Sequence, residues 1–211
     1  MTTNKKDAST ELSRKLDLPQ KTCWRFQQKV RHAMGSGAIG LLEGSVEVDE
    51  TVAGGKETGV RGRKNEKKQL SVMGIARKKG GIGRMYVKHI KNGGSKELRK
   101  FFTKCIAVSA CIRTDQWRGY VPLKKYYAGL YQEKSGYQGS NFRLLHRGIM
   151  MLKSYLRGVY HSVVRFQGYL DEYVYRYNNR FLCVHMLEDL LGKMMLGNPI
   201  TYKQLLYEPS A

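Results

Sequence analysis

The run GSVEVDETVAGGKE, residues 44–57, sets three carboxylates among valines. Side chains two apart along a strand share a face, so Glu47 and Asp49 fall on one side and Glu50 joins Val46 and Val48 on the other. A strand covered by helices on both sides gives these carboxylates no easy route to water, and burying one unpaired costs several kcal/mol. A cation must therefore face them, either an arginine or lysine or a divalent metal ion. Asp115, 66 residues on in RTDQWRGY, is a second carboxylate at a strand end. Two carboxylates from neighbouring strand ends can share Mg²⁺ or Mn²⁺, hard cations that take oxygen ligands. Such ions clamp the attacking and leaving oxygens of a phosphodiester displacement. Spacing alone leaves both readings open, a structural ion pair and metal-dependent phosphoryl transfer.

The charge of the whole chain bears on that choice. Its 211 residues carry 38 Lys and Arg against 17 Asp and Glu, a formal charge of +21. Such an excess selects a polyanionic partner, because cations that neutralise phosphates release condensed counterions. A structural RNA-binding protein would show the same excess, so that role stays open. No apolar run approaches the ~20 residues needed to span a bilayer, and MTTNKKDAST lacks the apolar segment of a signal peptide. Cys23, Cys105, Cys111 and Cys183 form no C-x-x-C pair and read as isolated reduced thiols. The expectation is a cytoplasmic, nucleoid-associated protein with no membrane partner.

Elements that would position the acids can be read from periodicity. Residues 8–34 read as two short helices broken at Asp17-Leu18-Pro19, with proline in the opening turn of the second. Cys23, Phe26, Val30 and Met34 form its expected buried stripe, leaving Lys21, Arg25, Gln28 and Lys29 largely outside. This fits a helix-turn-helix, or any small helical hairpin. GSGAIG at 35–40 is a hinge, and strands follow at 45–52, 69–77 and 84–90. KKGGIG reads as a hairpin turn, since no helix opening with Lys-Ser/Thr follows it. The charged loop KETGVRGRKNEKKQ is a solvated tip or a phosphate-tracking arm, with Arg61, Arg63 and Lys64 its candidate DNA contacts. Then come a helix at 95–106 capped by Ser95, a strand at 109–114, a short helix, a strand near 127–133 and a loop at KSGYQGSN. Two long helices close the pattern near 143–159 and 163–181. This order is that of the RNase H-like fold, an α/β mixed sheet flanked by helices, here preceded by a small helical segment.

The wording of the segments adds to their order. VEVDET-x-x-GGK, RTDQWRGYVPL, LKSYLRGVYH, YLDEYVYRYNNRF and NPITYKQL together resemble the ISXO-like group of DDE insertion-sequence transposases. ELSRKLDLPQKTCWRFQQKVRHAM resembles that family's helix-turn-helix, and the whole series covers roughly residues 9–207 in the family's order. The resemblance implies an RNase H-like catalytic domain, Mg²⁺- or Mn²⁺-dependent cutting at transposon ends, and joining of the 3′-hydroxyl to target DNA. It places Asp49 and Asp115 at the first two acidic catalytic positions. Its partners would be double-stranded DNA, as transposon ends and target, and further copies of the chain assembled on DNA. The implied division is a partial helix-turn-helix at 1–37, the catalytic domain at 38–185 and an amphipathic tail at 186–211.

Two departures from the family pattern are expected to matter. Family members commonly begin with a zinc ribbon, whereas this chain starts inside or just before the helix-turn-helix, as a truncated copy would. The third metal position, seven residues before Lys153, is His146, where many relatives have Glu or Asn. An imidazole still ligates a divalent ion but is neutral and softer, which favours Mn²⁺. Leu145, Ile149, Leu152 and Leu156 form a core stripe, and His146, Lys153 and Arg157 lie on an adjacent one. One helix would then supply a metal ligand and two phosphate-facing cations; the other reading is a solvated basic face with an incidental histidine. Glu172 is expected to pair with an arginine, Trp117 to pack beneath the site in preference to lining the DNA, and Phe166, Leu170, Tyr173, Tyr177 and Phe181 to form core rather than a base-stacking platform. DNA contacts are expected from Lys21, Thr22, Arg25 and Arg157. Two functions follow: a transposase that cuts and joins strands, or an inactive remnant that only binds DNA.

Overall fold

The computed structural model describes residues 9–35, 40–53, 69–157 and 166–207. It divides into two compact units, residues 39–154 and residues 1–38 with 155–211. Within the first, strands β1 (Ser45–Ala53), β2 (Gln69–Lys78), β3 (Gly81–His89), β4 (Cys111–Thr114) and β5 (Leu130–Gln132) form one sheet in the order β3-β2-β1-β4-β5. β1 pairs antiparallel with β2 and parallel with β4, β2 pairs antiparallel with β3, and β4 pairs parallel with β5. A mixed five-stranded sheet of this order and polarity, flanked by helices, is the RNase H-like arrangement.

The sequence dictates this sheet through its valines and isoleucines. β1 and β2 are largely buried on both faces: β2 runs almost continuously apolar, whereas β1 alternates Val46 and Val48 with Glu47 and Asp49. The β2–β3 hairpin is tighter than its glycines suggest: Lys79 and Gly80 form a two-residue turn, with Gly80 at φ +91°. Helix α3 (Ser95–Cys105) covers one face with Leu98, Phe101 and Phe102, all buried. Gly94 rather than Ser95 occupies its cap position. The 3-10 segment Arg118–Lys125 lies beside α3, with Tyr120 5.9 Å from Phe102 between ring centroids.

Helix α4 (Arg143–Arg157) begins on the opposite face. A β-carbon at Gly148 would meet Met73 Sδ at 3.2 Å, so the helix rests directly on β2. Its expected core stripe is observed, with Leu145, Ile149, Leu152 and Leu156 at most 7% exposed. The loop expected before α4 is partly ordered as a 3-10 turn, Tyr137–Phe142.

The second unit is helical. It contains α1 (Ser9–Leu16), α2 (Gln20–Gly35), α5 (Phe166–Asn178), α6 (Met186–Leu196) and α7 (Tyr202–Tyr207). Asp17, at φ +51°, makes the break between α1 and α2, and Pro19 accepts the first amide bonds of α2. The α2 stripe is rotated from the expected one. Cys23 and Met34 are buried, but Phe26 is 55% exposed while Gln28 and Arg31 are buried. Arg31 is drawn in by Glu172 of α5, whose carboxylate it meets at 3.0 Å, and Arg176 takes the other oxygen at 3.0 Å. On α5, Phe166, Leu170 and Tyr173 are core, whereas Phe181 lies beyond the helix end and is 80% exposed.

Candidate functional site

The last register pair of the parallel β1–β4 ladder is Val48 with Thr114. One step past that pair the chain reaches Asp49 on β1 and Asp115 just beyond the end of β4, and the charges of both act on the same Tyr120 hydroxyl. Sequence distance is thus erased by a short parallel pairing. The backbone fixes each acid locally. Asp49 Oδ1 accepts the Glu50 amide at 2.7 Å, and Asp115 Oδ1 accepts the Trp117 amide at 3.0 Å. Gln132, at the end of β5, donates through Nε2 to the carbonyls of Asp115 and Trp117, at 3.2 and 2.9 Å. Trp117 anchors the turn from the other side, donating Nε1–H to the Gly93 carbonyl at 2.7 Å.

Tyr120 reports the electrostatics of this corner. Burial pushes its hydroxyl well above the ordinary tyrosine range, and the negative charges of Glu50, Asp49 and Asp115 push it further. Three carboxylates therefore act on one buried phenol, which stays protonated at neutral pH. Neither Glu50 nor Tyr120 was assigned from the sequence. Glu50 belongs to the opposite strand face by alternation, and a tyrosine in RGYVPL carries no signal of what surrounds it.

Glu47, which shares a strand face with Asp49, has a different role. It is 2% exposed, and its Oε1 lies 3.2 Å from Arg113 and 3.5 Å from Arg77. Its Oε2 accepts the Leu145 amide of α4 at 3.3 Å. Here the cation demanded by burial is arginine. Arg113 also pairs with Glu133 and donates to the Asn141 carbonyl. The network ties the start of α4 to the sheet next to Asp49.

His146, one residue after Leu145, is half-buried, and Lys153 lies two turns on, also half-buried. Among the described residues, no three His, Cys, Asp or Glu side chains are disposed to hold a metal ion. The pair Asp49 and Asp115 nevertheless fits Mg²⁺ or Mn²⁺ chemically, since Mg²⁺ is commonly held by one or two carboxylates together with substrate phosphates and water. Arg157 is exposed at the last turn of α4 and belongs to the helical unit. Arg61, Arg63 and Lys64 lie outside the described residues. Lys21 and Thr22 are exposed on α2, while Arg25 stacks 4.0 Å from the ring centroid of Tyr202 in α7.

Close packing makes the Asp115 turn sensitive to one methyl group. A β-carbon at Gly119 would lie 2.6 Å from both the Gly93 carbonyl oxygen and Trp117 Nε1. Gly119→Ala should lower stability by about 1–3 kcal/mol, as overpacking does, and should break the Trp117–Gly93 bond. Urea unfolding with tryptophan fluorescence checks this; an unchanged midpoint would show that the turn relaxes freely.

A family model described as the ISXO2-like transposase domain matches residues 41–178. No curated protein matches the chain. Similar solved structures include a pre-cleavage Mos1 transpososome, 9% identical over 94% of this chain and 77% of that chain, with a TM-score of 0.37. The Mos1 strand transfer complex is 10% identical over 94% and 76%, with a TM-score of 0.39. A Mos1 mariner paired-end complex with Mn is 10% identical over 92% and 77%, with a TM-score of 0.36. The family match spans well over half of the chain, and this protein belongs to the ISXO2-like transposase domain family.

Proposed function

We propose that the protein is the DNA transposase of an insertion sequence, cutting transposon ends and joining them to target DNA by metal-dependent phosphoryl transfer. The observation that carries this reading is that Asp49 and Asp115 each lie one step past the last pair of the β1–β4 ladder and that both act on Tyr120. These two residues would hold Mg²⁺ or Mn²⁺, which supplies an activated nucleophile and neutralises charge on the leaving oxygen. Gln132 and Trp117 hold the Asp115 turn in place, so its carboxylate needs little rearrangement to engage. Tyr120, kept protonated, contributes a neutral wall rather than a further charge. Lys153 orients a phosphate, and His146 completes the ligand set on DNA. Lys21, Thr22 and Arg25 contact the duplex, with Arg61, Arg63, Lys64 and Arg157 adding phosphate contacts. The chain assembles as an oligomer on DNA in the cytoplasm; no described helix is long and apolar enough to cross a membrane.

An oligonucleotide nicking and strand-transfer assay with Mg²⁺ or Mn²⁺ tests the reading, and failure of both reactions on cognate ends would overturn it. The histidine gives a sharper measurement. If His146 is a ligand, His146→Glu should raise the ratio of Mg²⁺- to Mn²⁺-supported nicking about 10-fold, since carboxylate suits the harder ion. An unchanged ratio would remove His146 from the ligand set. A second reading is favoured by the lack of a third ligand grouped with the pair among the described residues. On that reading the chain binds DNA without cutting it, and gel shifts without metal-dependent cleavage would select it.

A further inference from the structure

The outer face of α3 is cationic. Leu98, Phe101, Phe102 and Cys105 are buried against the sheet, which leaves Lys96, Arg99, Lys100 and Lys104 exposed. Lys100 is engaged by Glu97 at 2.7 Å. Lys96, Arg99 and Lys104 have no carboxylate within ion-pair distance among the described residues. The adjoining 3-10 segment adds Lys124 and Lys125, both exposed. Tyr126 joins the two elements, its ring centroid 4.0 Å from the Arg99 guanidinium and 4.8 Å from the Lys125 ammonium. A hydrogen bond from Lys125 and the charge of Arg99 hold the Tyr126 hydroxyl below its ordinary range, as a positive local field requires.

Like charges gathered this closely repel one another, and a bound polyanion relieves that repulsion. The spacing fits a particular anion. Lys96, Lys100 and Lys104 repeat every four residues, about 6 Å along the helix axis. Successive phosphates of one DNA strand rise ~3.4 Å along the axis and turn by about 36°, which sets them roughly 6–7 Å apart, so neighbouring phosphates match the lysine row. All the offered groups are Lys, Arg and Tyr, residue types that contact phosphate oxygens. We infer that the α3 face, with Lys124 and Lys125, is a sequence-independent track for the backbone of duplex DNA, on the opposite side of the sheet from α4. The inference rests on the DNA reading given above but not on the catalytic pair.

Fluorescence anisotropy of the full chain with a short duplex of arbitrary sequence, without divalent metal and over a range of salt, tests it. Arg99→Gln, Lys104→Gln, Lys124→Gln and Lys125→Gln combined should reduce the slope of log affinity against log salt by roughly 3 and weaken binding at about 0.1 M salt at least 10-fold. A control combining Lys78→Gln, Lys79→Gln, Arg84→Gln and Lys134→Gln, all exposed and outside the helix-turn-helix and α3, removes equal charge elsewhere and should change the slope by less than about 1. Equal losses in the two variants, or no loss in the first, would overturn the track. Single-stranded RNA that outcompetes the duplex on wild type but not on the first variant would reassign the face to RNA. Nicking reads the catalytic proposal separately: nicking with an unchanged slope defeats the track alone. A reduced slope in the variant, with no nicking by wild type, supports the track and defeats the catalysis.

Discussion

Asp49→Asn should lower metal-dependent nicking of end DNA by about 10³-fold or more, and Asp115→Asn by a similar factor. Loss of one carboxylate from a shared ion removes several kcal/mol of transition-state charge stabilisation, and about 1.4 kcal/mol is a factor of ten. The double substitution should be little worse than either single one, because two ligands of one ion act as a unit. Stability should hardly change. The Glu50 amide bonds Asp49 Oδ1 and the Trp117 amide bonds Asp115 Oδ1, and an asparagine carbonyl oxygen keeps either bond. Thermal melts beside single-turnover nicking separate folding from chemistry. Residual nicking within tenfold of wild type, from a fully folded Asp49→Asn protein, would mean that the ion is held elsewhere.

What the sequence revealed follows from which interactions are local. The strands and the α4 stripe were legible because periods of 2 and 3.6 are written into neighbouring residues. Asp115 was legible as a strand-end acid and Asp49 as an acid within a strand, but bringing them to the same end of the β1–β4 ladder depends on Ser45 pairing with Cys111, a register no local pattern specifies. The same limit explains α2. Arg31 and Gln28 look like a solvent face until Glu172, 141 residues later, is placed opposite Arg31. Phe26 looks like core by type, yet the helix turns it outward once Arg31 has turned in. Phe181 failed for a simpler reason, since α5 ends at Asn178 and the 3.6-residue stripe ends with it.

Glu47 shows how a neighbouring acid can mimic a functional one. It is of the same charge type as Asp49, two residues away and on the same strand face, and only register separates them. β4 sets Arg113 opposite Glu47, and Asp49 and Asp115 each come one step past the pair Val48 and Thr114. Glu47→Ala should therefore destabilise the protein by about 3–5 kcal/mol, since it leaves a half-buried Arg113 and the Leu145 amide without their carboxylate. The lower end is expected, because Arg113 keeps Glu133 and the Asn141 carbonyl. Glu47→Gln preserves an acceptor for the Leu145 amide and should cost only about 1–2 kcal/mol. Nicking per folded molecule should remain within a few-fold of wild type in Glu47→Gln. Guanidinium unfolding of both variants measures the first two expectations. If Glu47→Ala unfolds at the wild-type midpoint while Glu47→Gln loses nicking, the carboxylate's work is chemical and the pairing with Arg113 is incidental.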